Sequence, residues 1–210
     1  APFEGETFRS NGLDYRFFQQ EGAFFVNTQN DKGQREDFKI LHTFGTEPLQ
    51  QYIVAFPNGR FQCLRAAWDT EKKQWYDLYP DLQLEQGEWL YWTNGGMNWN
   101  TMCADCHSTN LQKNYEAEKM AYNTEYTIID VSCESCHGPG KAHTQAAQQG
   151  DNPDYDAKEQ LFLTTGQTNV QQVAECARCH VRREQISQAY NHEGGLLDHY
   201  IPEILRDDLY

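Results

Sequence analysis

Three stretches of the sequence share one five-residue pattern: "CADCH" (Cys103, Cys106, His107), "CESCH" (Cys133, Cys136, His137) and "CARCH" (Cys176, Cys179, His180). C-x-x-C-H is the attachment signature of a covalently bound haem, in which two thiols add to the porphyrin edge and the adjacent histidine ligates the iron. Two intervening residues let one turn of chain present both sulfurs to the same macrocycle edge, while the next residue places its imidazole beneath the ring. A structural zinc site would pair two C-x-x-C units around one metal, and three units that each end in histidine leave ligands over in any closed four-ligand set. A thioredoxin-like redox pair or a disulfide framework explains the repeated terminal histidine no better. The spacing therefore predicts three covalent haem c groups, attached at Cys103, Cys106, Cys133, Cys136, Cys176 and Cys179, with His107, His137 and His180 as proximal ligands.

Each iron has a second axial position. It is filled by histidine or methionine in electron-transfer haems and left open for chemistry in others. Seven histidines minus three leave four distal candidates: His143, His199, His42 and His192. Met97, Met102 and Met120 are the weaker alternatives. His143 follows His137 by six residues, in "VSCESCHGPGKAH". Six residues span roughly 20 Å when fully extended, but Gly138-Pro139-Gly140 reads as a tight turn. The segment would also have to round the porphyrin edge to return to the same iron. The turn aims His143 at a neighbouring haem instead.

The elements that must position these residues read as α+β. Residues 1–92 form a β-rich, haem-free region, with aromatic runs such as "YRFFQQ", "AFFVNT" and "QYIVAF" separated by turn signals at Asn11-Gly12, Glu21-Gly22, Asp31 to Gly33 and Asn58-Gly59. That pattern predicts an antiparallel meander, with Asn58-Gly59 supplying the positive-φ residues of a hairpin turn. Residues 93–210 are the trihaem region, low in regular structure, with loops and short helices around the motifs. Helix-forming runs lie at "NYEAEKMAYNTEY", "KAHTQAAQQ" and "NVQQVAECARCHVRREQISQAY". The motif histidines are 30 and 43 residues apart, so no repeat of fixed period organises them.

The chain is 39% hydrophobic, with mean hydropathy −0.83. That is lean for a self-sufficient core, and porphyrins would furnish the missing apolar bulk. A net charge of −14 argues against nucleic acid, which requires a basic surface, and suits cationic redox partners. No stretch approaches the ~20 apolar residues of a membrane span. The start at Ala1 reads as a mature, exported form, so the expected location is extracytoplasmic: periplasm, cell surface or extracellular space. Cys63, the seventh cysteine, reads as a buried structural thiol, with an intermolecular disulfide as the sharper alternative. "DNPDYD" reads as a solvated loop, with calcium binding between subunits as its alternative.

"HTFGTEPLQQYIVAFPNGRFQCLRAAWD", "WYDLYPD", "YWTNGGMNWNTMCADCHSTNLQKNY", "VSCESCHGPGKAH" and "CARCHVRREQI" with "LLDHYIPEIL" together resemble the exported multihaem c-type cytochromes related to the hydroxylamine oxidoreductase and tetrahaem cytochrome superfamily. The resemblance covers about residues 35 to 210. It is nearest to large bacterial multihaem proteins that are often fused to helical repeats. It implies that His143, in C-H-G-P-G-x-x-H, is a distal ligand to another haem, and that His199, in D-H-Y, plays a similar part. Two departures stand out: Tyr91 lies where such relatives often have histidine, and His42 where they often have tyrosine. Relatives also continue with further haem motifs, and the end at Tyr210 reads as a compact trihaem unit.

These readings predict electron transfer by three low-spin, bis-histidine haems forming a short wire between other redox proteins. In a variant, terminal haem contacts join copies into a homopolymer, an extracellular conducting filament or nanowire. The alternative is a multihaem oxidoreductase in which one open haem acts on a small nitrogen or sulfur compound. Beyond the haem motifs themselves, the sequence holds no catalytic motif.

Overall fold

Turn chemistry sets the register of the N-terminal sheet. The computed structural model describes residues 1–150, 161, 167–188, 192 and 194–204; "DNPDYD" lies outside the described residues. Asn11-Gly12 and Glu21-Gly22 each place two successive residues at positive φ (49° and 77°, 52° and 77°), the geometry that matches the right-handed twist of hairpin strands. They join β1 (Glu4–Ser10) to β2 (Leu13–Gln20) and β2 to β3 (Ala23–Gln29). The meander continues through β4 (Arg35–Phe44), β5 (Leu49–Ala55), β6 (Phe61–Cys63), β7 (Ala66–Asp69) and β8 (Gln74–Asp77). All eight belong to one antiparallel sheet, in the order β1-β2-β3-β4-β5-β7-β8 with β6 paired to β5. The expected turn between β5 and β6 holds Asn58 and Gly59 at φ 61° and 68°, within a short 3-10 segment. Gly59 is needed there twice over, because a Cβ would lie 2.0 Å from the Tyr122 carbonyl oxygen.

The sheet curls until its ends meet. Asn11 donates to Asp77 (3.3 Å) and to the Tyr79 carbonyl (3.2 Å), and Phe17 of β2 stacks on Trp75 of β8 with ring centroids 3.5 Å apart. The enclosed core includes Phe3, Tyr15, Phe17, Val26, Tyr52, Val54, Leu64 and Trp92. Within it Arg65 and Asp77, each with only 2% of its side chain exposed, form an ion pair at 3.0 Å. Arg65 also donates to the carbonyls of Tyr79 (2.7 Å) and Leu82 (3.2 Å). Removing one partner of such a pair leaves the other charge buried. Arg65→Met is therefore expected to destabilise this unit by about 3–5 kcal/mol, read as urea unfolding of the strand signal. The double variant Arg65→Met/Asp77→Leu should recover most of the loss.

The chain divides into two compact units: residues 1–104 with 113–124, and residues 105–112 with 125–210. The first motif is therefore shared, with Cys103 in unit 1 and Cys106 and His107 in unit 2. Unit 1 ends in α1 (Trp99–Met102), which the Asn98 side chain caps by accepting from the Thr101 backbone N–H at 3.1 Å. Unit 1 also takes back a small hairpin, β9 (Tyr115–Glu116) and β10 (Ala121–Tyr122). Residues 114–126 were expected to be helical. Instead Asn114 and Met120 adopt positive φ, and Tyr115 and Tyr122 pair across the strands at 4.7 Å.

Unit 2 carries α2, which spans Ala104–His107 across the unit boundary, then α3 (Glu134–His137), α4 (Lys141–Gln148), α5 (Asn169–His180) and a two-stranded sheet of β11 (Arg183–Gln185) and β12 (Tyr200–Pro202). Thr168 and Gln171 form a reciprocal capping box at the start of α5. The helix expected to run on through residue 190 stops at His180, because residues 183–185 pair with residues 200–202.

Candidate haem centres

Each C-x-x-C-H motif ends a helix: α2 at His107, α3 at His137 and α5 at His180. Within unit 2 the motifs converge. Thr109, just past the first motif, is 2% exposed. Its hydroxyl bonds to the Asp130 carbonyl (2.8 Å) and to the hydroxyls of Ser132 (3.1 Å) and Ser135 (2.7 Å), the last inside the second motif. Arg178, inside the third motif, donates to the Ser135 carbonyl at 2.6 Å. The Cys106 sulfur lies 4.0 Å from the carbonyl oxygens of both Arg178 and Cys179, and the neighbouring Cys106 thiol together with burial pushes the Cys179 thiol up. Arg183 pairs with Asp105, reaches the Cys106 sulfur at 3.7 Å and lies over the Tyr200 ring at 4.0 Å.

The distal candidates fall in different places. His143 sits in the first turn of α4, half-buried, and so on a different helix from His137. The turn between those helices is fixed by Gly138 at φ 72° and by Glu134, which accepts from the Gly140 N–H at 2.7 Å. His199 is half-buried, and its backbone carbonyl accepts from Ile186 at 2.8 Å. His192 is buried against Glu175 (3.2 Å), which also pairs with Arg178 (2.9 Å). A carboxylate on one ring nitrogen fixes the tautomer and aims the other nitrogen, a common arrangement behind metal-ligating histidines. Glu175→Ala should uncover both partners and cost about 3–5 kcal/mol, seen as a lower urea midpoint at the haem absorption band.

His42 is set by a feature that alternation alone would not reveal. Ile40 packs on the core, and regular alternation would send His42 to the same face. A bulge between Ile40 and His42 shifts the register, so that His42 pairs with Ile53, which pairs with Cys63. Opposed residues share a face, so His42 lies with Cys63 on the side away from the core, where Phe61 and Trp99 also pack. Burial holds the His42 imidazole below its ordinary value, favouring the neutral form that can bind metal. Of the residues flanking the first motif, Trp92 and Trp99 are buried and Asn98 caps α1, while Trp89 is exposed and Tyr91 is buried. Cys63 is 1% exposed, which leaves no accessible sulfur for an intermolecular disulfide.

These residues fit haem. In unit 2 the buried apolar side chains among the described residues are Ala146 and Tyr200, whereas Val131, Val170, Val173, Ile186, Leu197 and Ile201 are all at least half exposed. A mostly apolar cavity of about 690 Å³ runs along α5, lined by Val170, Val173, Ala177, Leu196 and Leu197. Four of the six motif cysteines, Cys133, Cys136, Cys176 and Cys179, are exposed, as addition to a porphyrin edge would require.

Residues 66–138 match the family model described as cytochrome c554 and c-prime. The matched stretch contains the first two C-x-x-C-H motifs and supports covalently bound haem c. No curated protein matches the chain. Among solved structures, the crystal structure of the outer cell wall cytochrome OcwA is similar over 74% of this chain, at 19% identity and a TM-score of 0.47. The chain spans 31% of that structure's length. Among the described residues, no helix is long and apolar enough to cross a membrane.

Proposed function

We propose that the chain is an extracytoplasmic electron-transfer protein carrying three haem c groups, related to the hydroxylamine oxidoreductase and tetrahaem cytochrome superfamily. The observation that carries this is the convergence in unit 2 of the second and third motifs with the end of the first, through Thr109, Ser135, Arg178 and the Cys106 sulfur, 4.0 Å from the Cys179 carbonyl. Haem c supplies reversible one-electron exchange at its iron. The chain supplies attachment at the six motif cysteines, proximal ligation by His107, His137 and His180, and distal ligation drawn from His143, His199, His42 and His192.

Close haems with both axial positions filled make a short wire between redox partners, and copies joined at terminal haems would extend it into a filament. Intact-mass measurement of the native chain is expected to show three haem additions, and two or fewer would reject the trihaem reading. Electron micrographs of native material should show filaments if copies join, and only monodisperse particles if they do not.

A further inference from the structure

The outer face of the eight-stranded sheet carries a row of side chains that electron transfer does not explain. Tyr15, Phe17, Val26 and Phe38 belong to the core, so strand alternation sends Arg16, Phe18, Phe25 and Lys39 to the opposite side. Paired residues share a face, and the register draws one line across β1 to β4: Glu4 opposite Phe18, Phe18 opposite Phe25, Phe25 opposite Lys39. An exposed carboxylate ends the row on one side and an exposed ammonium on the other, with two half-buried phenylalanines stacked between them at 5.5 Å. We propose that this row is the contact through which two copies of the chain pair, sheet face to sheet face, about a two-fold axis. The pairing goes beyond the wire described above and does not depend on haem number.

The order of the row makes it complementary to itself. Turned over about an axis parallel to the strands, Glu4, Phe18, Phe25 and Lys39 meet their own reverse. Glu4 then faces the partner's Lys39, Phe18 faces the partner's Phe25, and each contact occurs twice, as an isologous interface requires. The charges beside the row are already matched within the chain: Arg9 and Arg35 lie against Asp14 at 3.6 and 3.8 Å, and Asp37 accepts from Asn27 at 2.6 Å. Among the described residues, Glu4 and Lys39 form no ion pair within the chain. Arg16 lies over the Phe18 ring at 5.6 Å, and its stem widens the apolar centre of the row. A second sheet packed at the usual ~10 Å would cover the two rings, and aromatic and arginine side chains are the types enriched at the centres of protein interfaces.

Within one chain Glu4 and Lys39 stand three strand spacings apart, about 14 Å, so a direct bond between them forms only between copies. Carbodiimide coupling of the full, haem-loaded chain, mixed in equal parts unlabelled and heavy-isotope-labelled, reads this. The reagent activates the Glu4 carboxylate, the Lys39 amine displaces it to form an amide, and the carbodiimide leaves as its urea with the elements of water. Expected is a Glu4–Lys39 linked peptide with one labelled and one unlabelled half. Phe18→Ser/Phe25→Ser keeps both reacting groups and should lose that peptide, with the strand signal and the haem bands unchanged. In sedimentation at rising concentration, Lys39→Glu sets carboxylate against carboxylate at both symmetry-related contacts and should weaken pairing on the order of 100-fold. Glu4→Lys/Lys39→Glu exchanges the two charges and should restore it. Absence of the mixed-label peptide in the wild type would overturn the proposal, as would pairing that survives Lys39→Glu or that the exchange fails to restore. Binding of the row to anionic lipid vesicles in place of a second copy, lost in Phe18→Ser/Phe25→Ser, would overturn it as well.

Discussion

Matured without haem, the chain is expected to lose the structure of unit 2 and keep that of unit 1. The aromatic core beneath the eight-stranded sheet, from Phe3 to Trp92, lies wholly in residues 1–104 and needs no cofactor. Unit 2 leaves Val131, Val170, Val173, Ile186, Leu197 and Ile201 at least half exposed. Covering six such side chains is worth on the order of 10 kcal/mol at ~1.5–3 kcal/mol each, comparable to the whole stability of a typical domain. Porphyrin faces are the apolar surface that would cover them. Helices α3 and α4 are too short to persist unsupported, so circular dichroism of the haem-free chain should show the strand signal retained and the helical signal lost. Hydrogen exchange should place the loss in residues 125–204. Amides of α5 as protected as in the haem-loaded protein would refute this.

The second large effect is expected from His143→Ala. Haem number should stay the same, because the attachment cysteines are untouched, while one haem in three changes from low-spin to high-spin and its midpoint potential shifts. Gly138, Pro139 and Gly140 break the chain between α3 and α4, so His143 starts a new helix instead of continuing the one that ends at His137. On the proposed reading its half-buried imidazole serves an iron other than that of His137. The variant Cys133→Ala/Cys136→Ala, which lacks the second haem, separates the alternatives. Adding His143→Ala to it should still convert one remaining haem to high-spin; no further change would mean that His143 serves the His137 iron.

Much of unit 1 was legible because its signals are local. Asn11-Gly12, Glu21-Gly22 and Asn58-Gly59 announce hairpins by the φ values they tolerate, and the aromatic runs between them give the strands. The haem motifs were legible for the same reason, being complete within five residues. What escaped was non-local. The bulge that turns His42 away from the core leaves no mark in the alternation around it. The bridge from Gln62 to Asn98 joins β6 to the residue that caps α1, 36 positions later. The Glu175–His192 pair joins a helix to a residue 17 positions later. Residues 114–126 have good helix formers, yet Asn100 and Thr124 bond at 2.8 Å and the two tyrosines pair, and this packing outweighs local propensity.

The central claim is that every iron in this chain is a closed, two-histidine electron carrier. Electron paramagnetic resonance of the native, fully oxidised protein, integrated per chain, tests it most directly. The account predicts three low-spin ferric haems and no high-spin signal. A high-spin component integrating to one haem per chain would contradict it, and would point instead to an open iron at which a small nitrogen or sulfur compound could react.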